Sequence, residues 1–182
     1  MPRFYTRKGD DGYTGLLGEG RVPKYAPQPE MVGTIDEAAA ALGLARATCK
    51  AAQTGSIIMQ VQRDLYSLMA EIAASPENAA RFRTINAEHV TWLEIQTDAL
   101  NVLIEMPDEF ILAGDSLAGA ALDLSRTIVR RAERKAAELW HQKILENQEI
   151  LRYLNRLSSL CFVLELLENQ AAGKSSTTLA KG

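Results

Sequence analysis

Residues 6–24 hold the chain's densest collection of groups suited to an anion. Thr6-Arg7-Lys8-Gly9-Asp10-Asp11-Gly12-Tyr13-Thr14-Gly15 leads on to Gly18-Glu19-Gly20-Arg21-Val22-Pro23-Lys24. Five of the twelve glycines lie here, with four basic residues, two adjacent aspartates and two threonines. Glycine lets the backbone take positive φ and approach a ligand closely. Successive N–H groups in such turns form a concavity that suits an anion. Lysine and arginine add charge, and threonine hydroxyls can hold a phosphate oxygen or a magnesium ion. One reading is a loop that wraps a polyphosphate. The other is a solvated polar leader. The apolar pairs Leu16-Leu17 and Val22-Pro23, and the interleaving of acids with bases, favour the first.

A second group sits downstream. Asp123, Arg126, Arg130 and Glu133 follow one another at spacings of three, four and three, so on a helix they share one narrow face, with Arg131 and Arg134 beside it. Two planar, permanently charged guanidinium groups one turn apart suit phosphate or a fixed carboxylate. A solvated, salt-bridged helix face has the same pattern. Leu117, Ala121, Leu124, Ile128 and Ala132 are the expected core face of that helix. Phe110, in the apolar run Phe110-Ile111-Leu112, reads either as core packing or as a ligand-facing ring. Asn155 lies inside a helical pattern, facing solvent or bonded to something specific.

Bulk properties narrow the class. At 182 residues the chain fits a single domain, expected over 1–182, with a leader loop over 1–29, a helical body over 30–172 and a disordered tail over 173–182. A net charge of −3 argues against a nucleic-acid surface, so a basic patch must be local. Cys49, Cys161, His89 and His141 have no zinc-site spacing and give no disulfide framework. No apolar signal region or membrane-length apolar run occurs, which points to a reduced, cytoplasmic setting without membrane partners.

The elements that must carry these groups read as helices. Alanine-rich residues 30–48 form the first, with Thr34, Asp36 and Glu37 on its opening turns in capping roles. Ser56 opens a second, reaching 74, whose stripe is Ile57, Val61, Leu65, Leu68 and Ile72. Residues 74–88 are a connection. The third helix spans 89–105, with Leu93, Leu100, Leu103 and Ile104 as its apolar side, and stops at Met106-Pro107. Ser116 caps a fourth to 142, and a fifth runs from 144 to 172 with the seam Ile150, Leu154, Leu157, Cys161, Leu164 and Leu167. Gly173-Lys174-Ser175 resembles the end of a P-loop, but Glu168 stands where the upstream glycine is required and no strand precedes it. No strand alternation is visible. The expected fold class is all-α, an antiparallel five-helix bundle with an N-terminal glycine-rich nucleotide loop.

These blocks together resemble the PduO-type ATP:cob(I)alamin adenosyltransferases. The matching stretches are 6–16, Gly20-Arg21-Val22-Pro23-Lys24, Gly33-Thr34-Ile35-Asp36-Glu37, Phe110-Ile111-Leu112, 125–134 and Tyr153-Leu154-Asn155-Arg156-Leu157-Ser158, in order, over roughly residues 4 to 170. The resemblance implies a homotrimer with sites between subunits. It implies transfer of the 5′-deoxyadenosyl group of ATP to the cobalt of reduced cobalamin, with Mg2+ carried mainly by the ATP phosphates. It assigns ATP binding to Thr6, Arg7, Lys8, Gly9, Asp10, Thr14, Lys24, Arg130, Glu133, Arg134 and Asn155. Asp36 and Arg126 would form an intersubunit ion pair, and Phe110 would face cobalamin; Arg126, Arg130, Asp36 and Phe110 form the catalytic set. A flavin reductase and a cobalamin-dependent acceptor enzyme are the implied protein partners.

Three positions depart from the family pattern. Tyr13 replaces a usual threonine, Ala113-Gly114-Asp115 replaces a Pro-Gly-Gly-like turn, and Asp123 replaces a usual histidine. Tyr13 and Asp115 keep an alternative open: an ATP-binding sensor or adenosylcobalamin carrier on the same bundle with little turnover.

Overall fold

The computed structural model describes residues 5–174 and 176–181. The first four residues of the leader, and Ser175 and Gly182 of the tail and P-loop-like stretch, lie outside them. The described residues form six helices and one small hairpin: β1 Tyr13–Gly15, β2 Arg21–Pro23, α1 Pro27–Thr48, α2 Thr54–Ala73, α3 Pro76–Phe82, α4 Ala87–Asn101, α5 Leu117–His141 and α6 Gln148–Ala171. None of these helices is long and apolar enough to cross a membrane.

Most helix ends have a visible local cause. Pro27, which lacks an N–H that would go unpaired anyway, opens α1 after an extended Ala26. The start therefore precedes the expected residue 30, and Thr34, Asp36 and Glu37 fall well inside the helix rather than capping it. Thr34 instead donates back to the Glu30 carbonyl at 2.8 Å. In α2 the helix begins two residues before Ser56, whose hydroxyl donates to the Gln53 carbonyl and caps nothing. Asn86 caps α4, accepting from the Glu88 and His89 N–H groups. That helix ends at Asn101, short of the expected 105. Leu100 is its last buried side chain, and Val102 and Leu103 beyond it are exposed, so no packing sustains another turn. Ser116 caps α5 through the Gly119 N–H. At its other end Lys143 (φ 59°) takes the left-handed conformation. The Lys143 and Ile144 N–H groups then return to the Trp140 and Leu139 carbonyls, a Schellman motif. This reversal delays α6 to residue 148, where Asn147 caps it.

The extra helix is α3. Its proline-led start, Ser75-Pro76, reads as a break, and none of its residues is buried, so it carries no apolar stripe to announce it. Two further expectations fail for related reasons. Three-residue strands are too short to show alternation, and β1 pairs antiparallel with β2 through Thr14 opposite Val22. Within the stretch 173–182, read as a disordered tail, residues 178–180 run back along the Phe110 segment. Leu112 N–H donates to the Thr178 carbonyl at 2.8 Å, and Ala180 N–H to the Phe110 carbonyl at 2.7 Å.

The long helices alternate in direction. Gln62 on α2 reaches the Ala39 carbonyl on α1, and Gln28 on α1 reaches the Ile72 carbonyl on α2. Arg131 on α5 pairs with Glu37 on α1, and Lys135 with Glu30. Ser116 on α5 donates to Asn169 on α6 at 2.7 Å. Helix α6 is central: all six seam residues are buried, and its carboxylate Glu168 accepts the Lys50 and Ala51 N–H groups between α1 and α2. The buried face of α5 is Ala118, Ala121, Leu122, Ser125, Val129, Ala132, Ala136 and Leu139. Small residues there let α5 sit between α1 and α6. Leu117 and Leu124, expected in the core, are 68% and 50% exposed.

Candidate functional site

The leader is a folded loop. Arg21 on β2 holds both carboxylate oxygens of Asp11 at 2.7 and 2.9 Å and donates to the Lys8 carbonyl at 2.7 Å. This clamp holds the Asp11 carboxyl below its ordinary pKa, chiefly through the hydrogen bond from Arg21. Tyr13, the departure from threonine, packs its ring 5.7 Å from the Arg21 guanidinium and so braces the clamp. Between these anchors Arg7 takes φ 62° and Gly12 φ 80°, while Lys24 N–H donates to the Gly12 carbonyl. Thr6 accepts from the Lys8 N–H. A Cβ on Gly9 would lie 3.0 Å from the Lys24 ammonium, so that charge lies against bare backbone. Asp10 is exposed on the same loop. Thr14 and Lys24 line a cavity of about 320 Å³ with Gln28, Pro29 and Gly33 at the start of α1.

The loop is seated on the bundle. Leu17 N–H donates to the Ala73 carbonyl at 2.8 Å, and Ser75 N–H to the Leu17 carbonyl at 3.2 Å. Gly18 (φ 128°) lies so close to α3 that a Cβ would come within 2.2 Å of Asn78 Nδ2 and 2.6 Å of Ser75 Oγ.

The arginine helix faces elsewhere. A cavity of about 790 Å³ opens between α4, α5, α6 and the segment after α4. Phe110, Asp123, Arg126 and Arg130 line it, with Phe162 and Ser159 from α6. Phe110 is 88% exposed, so its ring is available rather than packed in the core. Arg126 donates to Asp123 through Nε at 2.8 Å and Nη2 at 2.7 Å. Arg130 also lines a neighbouring groove of about 520 Å³ with Glu133, Arg134, Asn155 and Arg156. Within it Asn155 donates to Glu133 at 2.8 Å and Arg134 to the Arg130 carbonyl at 3.0 Å. Among the described residues Arg130 forms no ion pair, which leaves a permanent cation open to a ligand at the junction of the two cavities.

The single chain thus groups its candidate residues into two sets. Thr6, Arg7, Lys8, Gly9, Asp10, Thr14 and Lys24 belong to the leader beside α1. Arg126, Arg130, Glu133, Arg134, Asn155 and Phe110 belong to the α5–α6 side. Neither cavity of one set includes a residue of the other. Asp36 is exposed on α1 and, among the described residues, forms no ion pair. The sequence reading missed several cavity residues: Thr97, Asp98 and Asn101 on α4, and Ser159 and Phe162 on α6. Phe162 and Ser159 lie one turn beyond Asn155 and Ser158, so helical spacing from those residues was the available signal. The α4 residues had none. Asp115 was noted, but not its bond: it accepts from Thr178 Oγ1 at 2.7 Å and Thr178 N–H at 2.9 Å, which lowers its pKa.

An alternating helical bundle with a leader loop anchored on α2 and α3, and an arginine helix lining a cavity beside an exposed aromatic ring, defines an all-α bundle protein with open cavities. More specifically, the chain belongs to the cobalamin adenosyltransferase family, whose model matches residues 4–168. It is 36% identical over 174 residues to the corrinoid adenosyltransferase PduO of Citrobacter freundii, covering 95% of this chain and 52% of that protein. The chain thus spans about half the length of that relative. A shorter corrinoid adenosyltransferase of Citrobacter freundii is 34% identical, with 92% of this chain matched to 96% of it. Among solved structures, a phenylalanine-to-histidine variant of a PduO-type ATP:corrinoid adenosyltransferase from Lactobacillus reuteri, complexed with cobalamin and ATP, superposes with a TM-score of 0.88. It is 26% identical, over 99% of this chain and 97% of that one.

Proposed function

We propose that this protein transfers the 5′-deoxyadenosyl group of ATP to the cobalt of cob(I)alamin, forming adenosylcobalamin and triphosphate. The observation that carries this reading is the position of Arg130. It stands in the wall shared by the Phe110 cavity, which suits a large apolar-faced substrate, and the Arg134–Asn155 groove, which suits a polyphosphate. A reaction joining a corrinoid to a nucleotide needs such a junction. Family membership supports it, and a Lactobacillus reuteri relative has been solved with both cobalamin and ATP.

Cob(I)alamin is itself the nucleophile, so the protein need supply none. Its tasks are to hold C5′ of ATP near cobalt and to stabilise charge on the departing triphosphate. Arg130 and Arg134 serve the second task, with Asn155 and Glu133 orienting the nucleotide. Leader residues Thr6, Arg7, Lys8, Gly9, Asp10, Thr14 and Lys24 enclose the phosphates. Phe110 presents an apolar ring to the corrin, displacing water from the face where a lower ligand would bind. That favours reduction to the nucleophilic state. Magnesium enters on the ATP phosphates as part of the substrate. Among the described residues no three His, Cys, Asp or Glu side chains converge into a metal cage, and an ion that retains water and phosphate ligands requires none.

The protein works as a homotrimer in the cytoplasm in this reading. The leader set and the α5–α6 set stand apart in one chain, and a neighbour's leader beside the α5–α6 groove would unite them. Exposed Asp36 then meets Arg126 of an adjacent subunit. Sedimentation of Asp36→Ala should show loss of the trimer, with loss of turnover. A flavin reductase supplying cob(I)alamin and a cobalamin-dependent enzyme accepting the product complete the scheme.

The deciding experiment is anaerobic. Chemically reduced cobalamin, magnesium-ATP and protein are mixed, and the visible spectrum is followed. Multiple turnovers to adenosylcobalamin support the proposal; tight ATP binding without conversion overturns it.

A further inference from the structure

One buried acid has no place in that scheme. Glu165, on α6, is 0% exposed, and among the described residues neither of its carboxylate oxygens has a hydrogen-bond partner. It lies on the side of α6 that meets the first turns of α5. On the same side, Phe162 one turn earlier lines the Phe110 cavity, and Asn169 one turn later bonds Ser116. The charged groups acting on Glu165 are Asp123 and Arg126 from α5 and Asp115 from the segment before it. From its own helix the buried thiol of Cys161 adds to the set. Glu168, also on α6, is turned away and engaged by the Lys50 and Ala51 N–H groups, and Asp98 reaches the cavity from α4.

Asp115 and Asp123 thus act on Glu165 here, with a single guanidinium, Arg126, among the groups that influence it. Arg126 already gives two N–H groups to Asp123. An ionised Glu165 would therefore be a buried charge without a partner, a costly state in a low-dielectric core. Burial first, and then Asp123, raise the Glu165 pKa to about 7. Its proton is thus held below neutral pH, half lost near pH 7 and gone above it.

We infer that Glu165 is a positioning residue for Arg126. While protonated it leaves the guanidinium with Asp123 at the cavity wall. Once ionised it draws the guanidinium inward, away from the cavity and from any neighbouring carboxylate. The step is a proton leaving to solvent and a cation changing partners, with no further reactant. The inference rests on the corrinoid reading of the cavity, and it adds a pH dependence that this reading does not contain.

The test compares wild type with Glu165→Gln, which keeps the shape of the protonated acid, and with Glu165→Asp, which keeps the carboxyl. kcat/KM for the corrinoid is measured from about pH 6 to about pH 9. For wild type it should fall roughly tenfold for each pH unit above the Glu165 pKa, the slope of a single lost proton. Glu165→Gln should show no fall assignable to that group, and Glu165→Asp should restore one. Nucleotide and corrinoid ionisations are common to all three proteins and cancel in the comparison. Superimposable profiles for wild type and Glu165→Gln overturn the inference. A protein that never turns over defeats the proposed reaction instead. In that case the pH dependence of corrinoid binding decides the matter, and equal dependence in wild type and Glu165→Gln overturns the role of Glu165. The C=O stretch of a protonated carboxylic acid, present in wild type near pH 6 and missing from Glu165→Gln, reads the proton directly; its absence from wild type overturns the inference.

Discussion

Arg130 is the residue on which two cavities converge, and its consequence is local. In the proposed reaction, truncating it removes a fixed cation from the place where triphosphate charge would develop. The Arg130→Ala protein should lose roughly a hundredfold or more in kcat, the scale of one lost transition-state contact. Its helical circular dichroism should be unchanged, because Arg130 is exposed and, among the described residues, forms no ion pair. Retained turnover would remove it from the site. Glu165 makes a residue-scale statement about stability as well. Its folded pKa lies above the unfolded value, so the folded state binds the extra proton. The contribution is fully present below the unfolded pKa and is lost as pH rises through about 7. Glu165→Gln should therefore resist urea better than wild type near pH 8, with the advantage vanishing near pH 4. A constant difference across that range would show that Glu165 does not titrate as described.

At the scale of elements, the leader depends on its seat. Gly18 combines a positive φ with contact against Ser75 and Asn78 at the start of α3. Gly18→Ala must bear roughly 1–2 kcal/mol of backbone strain and push those side chains aside. The leader should loosen while the bundle stays intact. The expected readout is a several-fold rise in KM for ATP with little change in the melting temperature, the pattern of lost uniform binding. An equal drop in kcat and stability would mean that the seat supports the whole fold. Glu71 does play that wider part. It is buried on α2, bonds Arg83 between α3 and α4 at 3.2 Å, and accepts from Asn147, the α6 cap, at 3.1 Å. Glu71→Ala leaves both donors short of a partner and should cost about 2–4 kcal/mol in denaturant unfolding.

The whole molecule decides what its C-terminal stretch meets. The C-terminal stretch is tied across the Phe110 segment by two backbone bonds and by Asp115, whose two oxygens hold Thr178. That hydrogen bonding depresses the Asp115 pKa. The latch is accordingly strongest above the unfolded pKa and is lost as pH falls through the folded one. Amide protection at Leu112 and Ala180, corrected for intrinsic exchange, should fall only below the ordinary aspartate pKa of about 3.9, and Asp115→Asn should bring the same loss of protection to neutral pH. Exchange indifferent to both changes would show that backbone pairing alone holds the tail.

Much of this was legible in the chain. The seam of α6 and the stripe of α2 repeat every three or four residues because each helix buries one continuous side, and periodicity reports that directly. Side-chain type marked the leader and the arginine helix as the candidate regions. Other features had no local signature. Helix α3 buries nothing, so no stripe revealed it. The apolar Leu117 and Leu124 are turned outward because the register of α5 follows the small residues that fit between α1 and α6. Residues 176–181 look like a polar tail until Asp115 and the Phe110 segment, more than sixty positions away in the chain, supply their hydrogen bonds. The sequence by itself determined the helical class, the family and the chemical types at the site. Only the tertiary structure decided which arginine joins two cavities, which acid lies buried without a hydrogen-bond partner among the described residues, and that the leader loop and the arginine groove stand apart in one chain. Local pattern reports what a segment must bury; proximity between distant segments is set by how the segments pack.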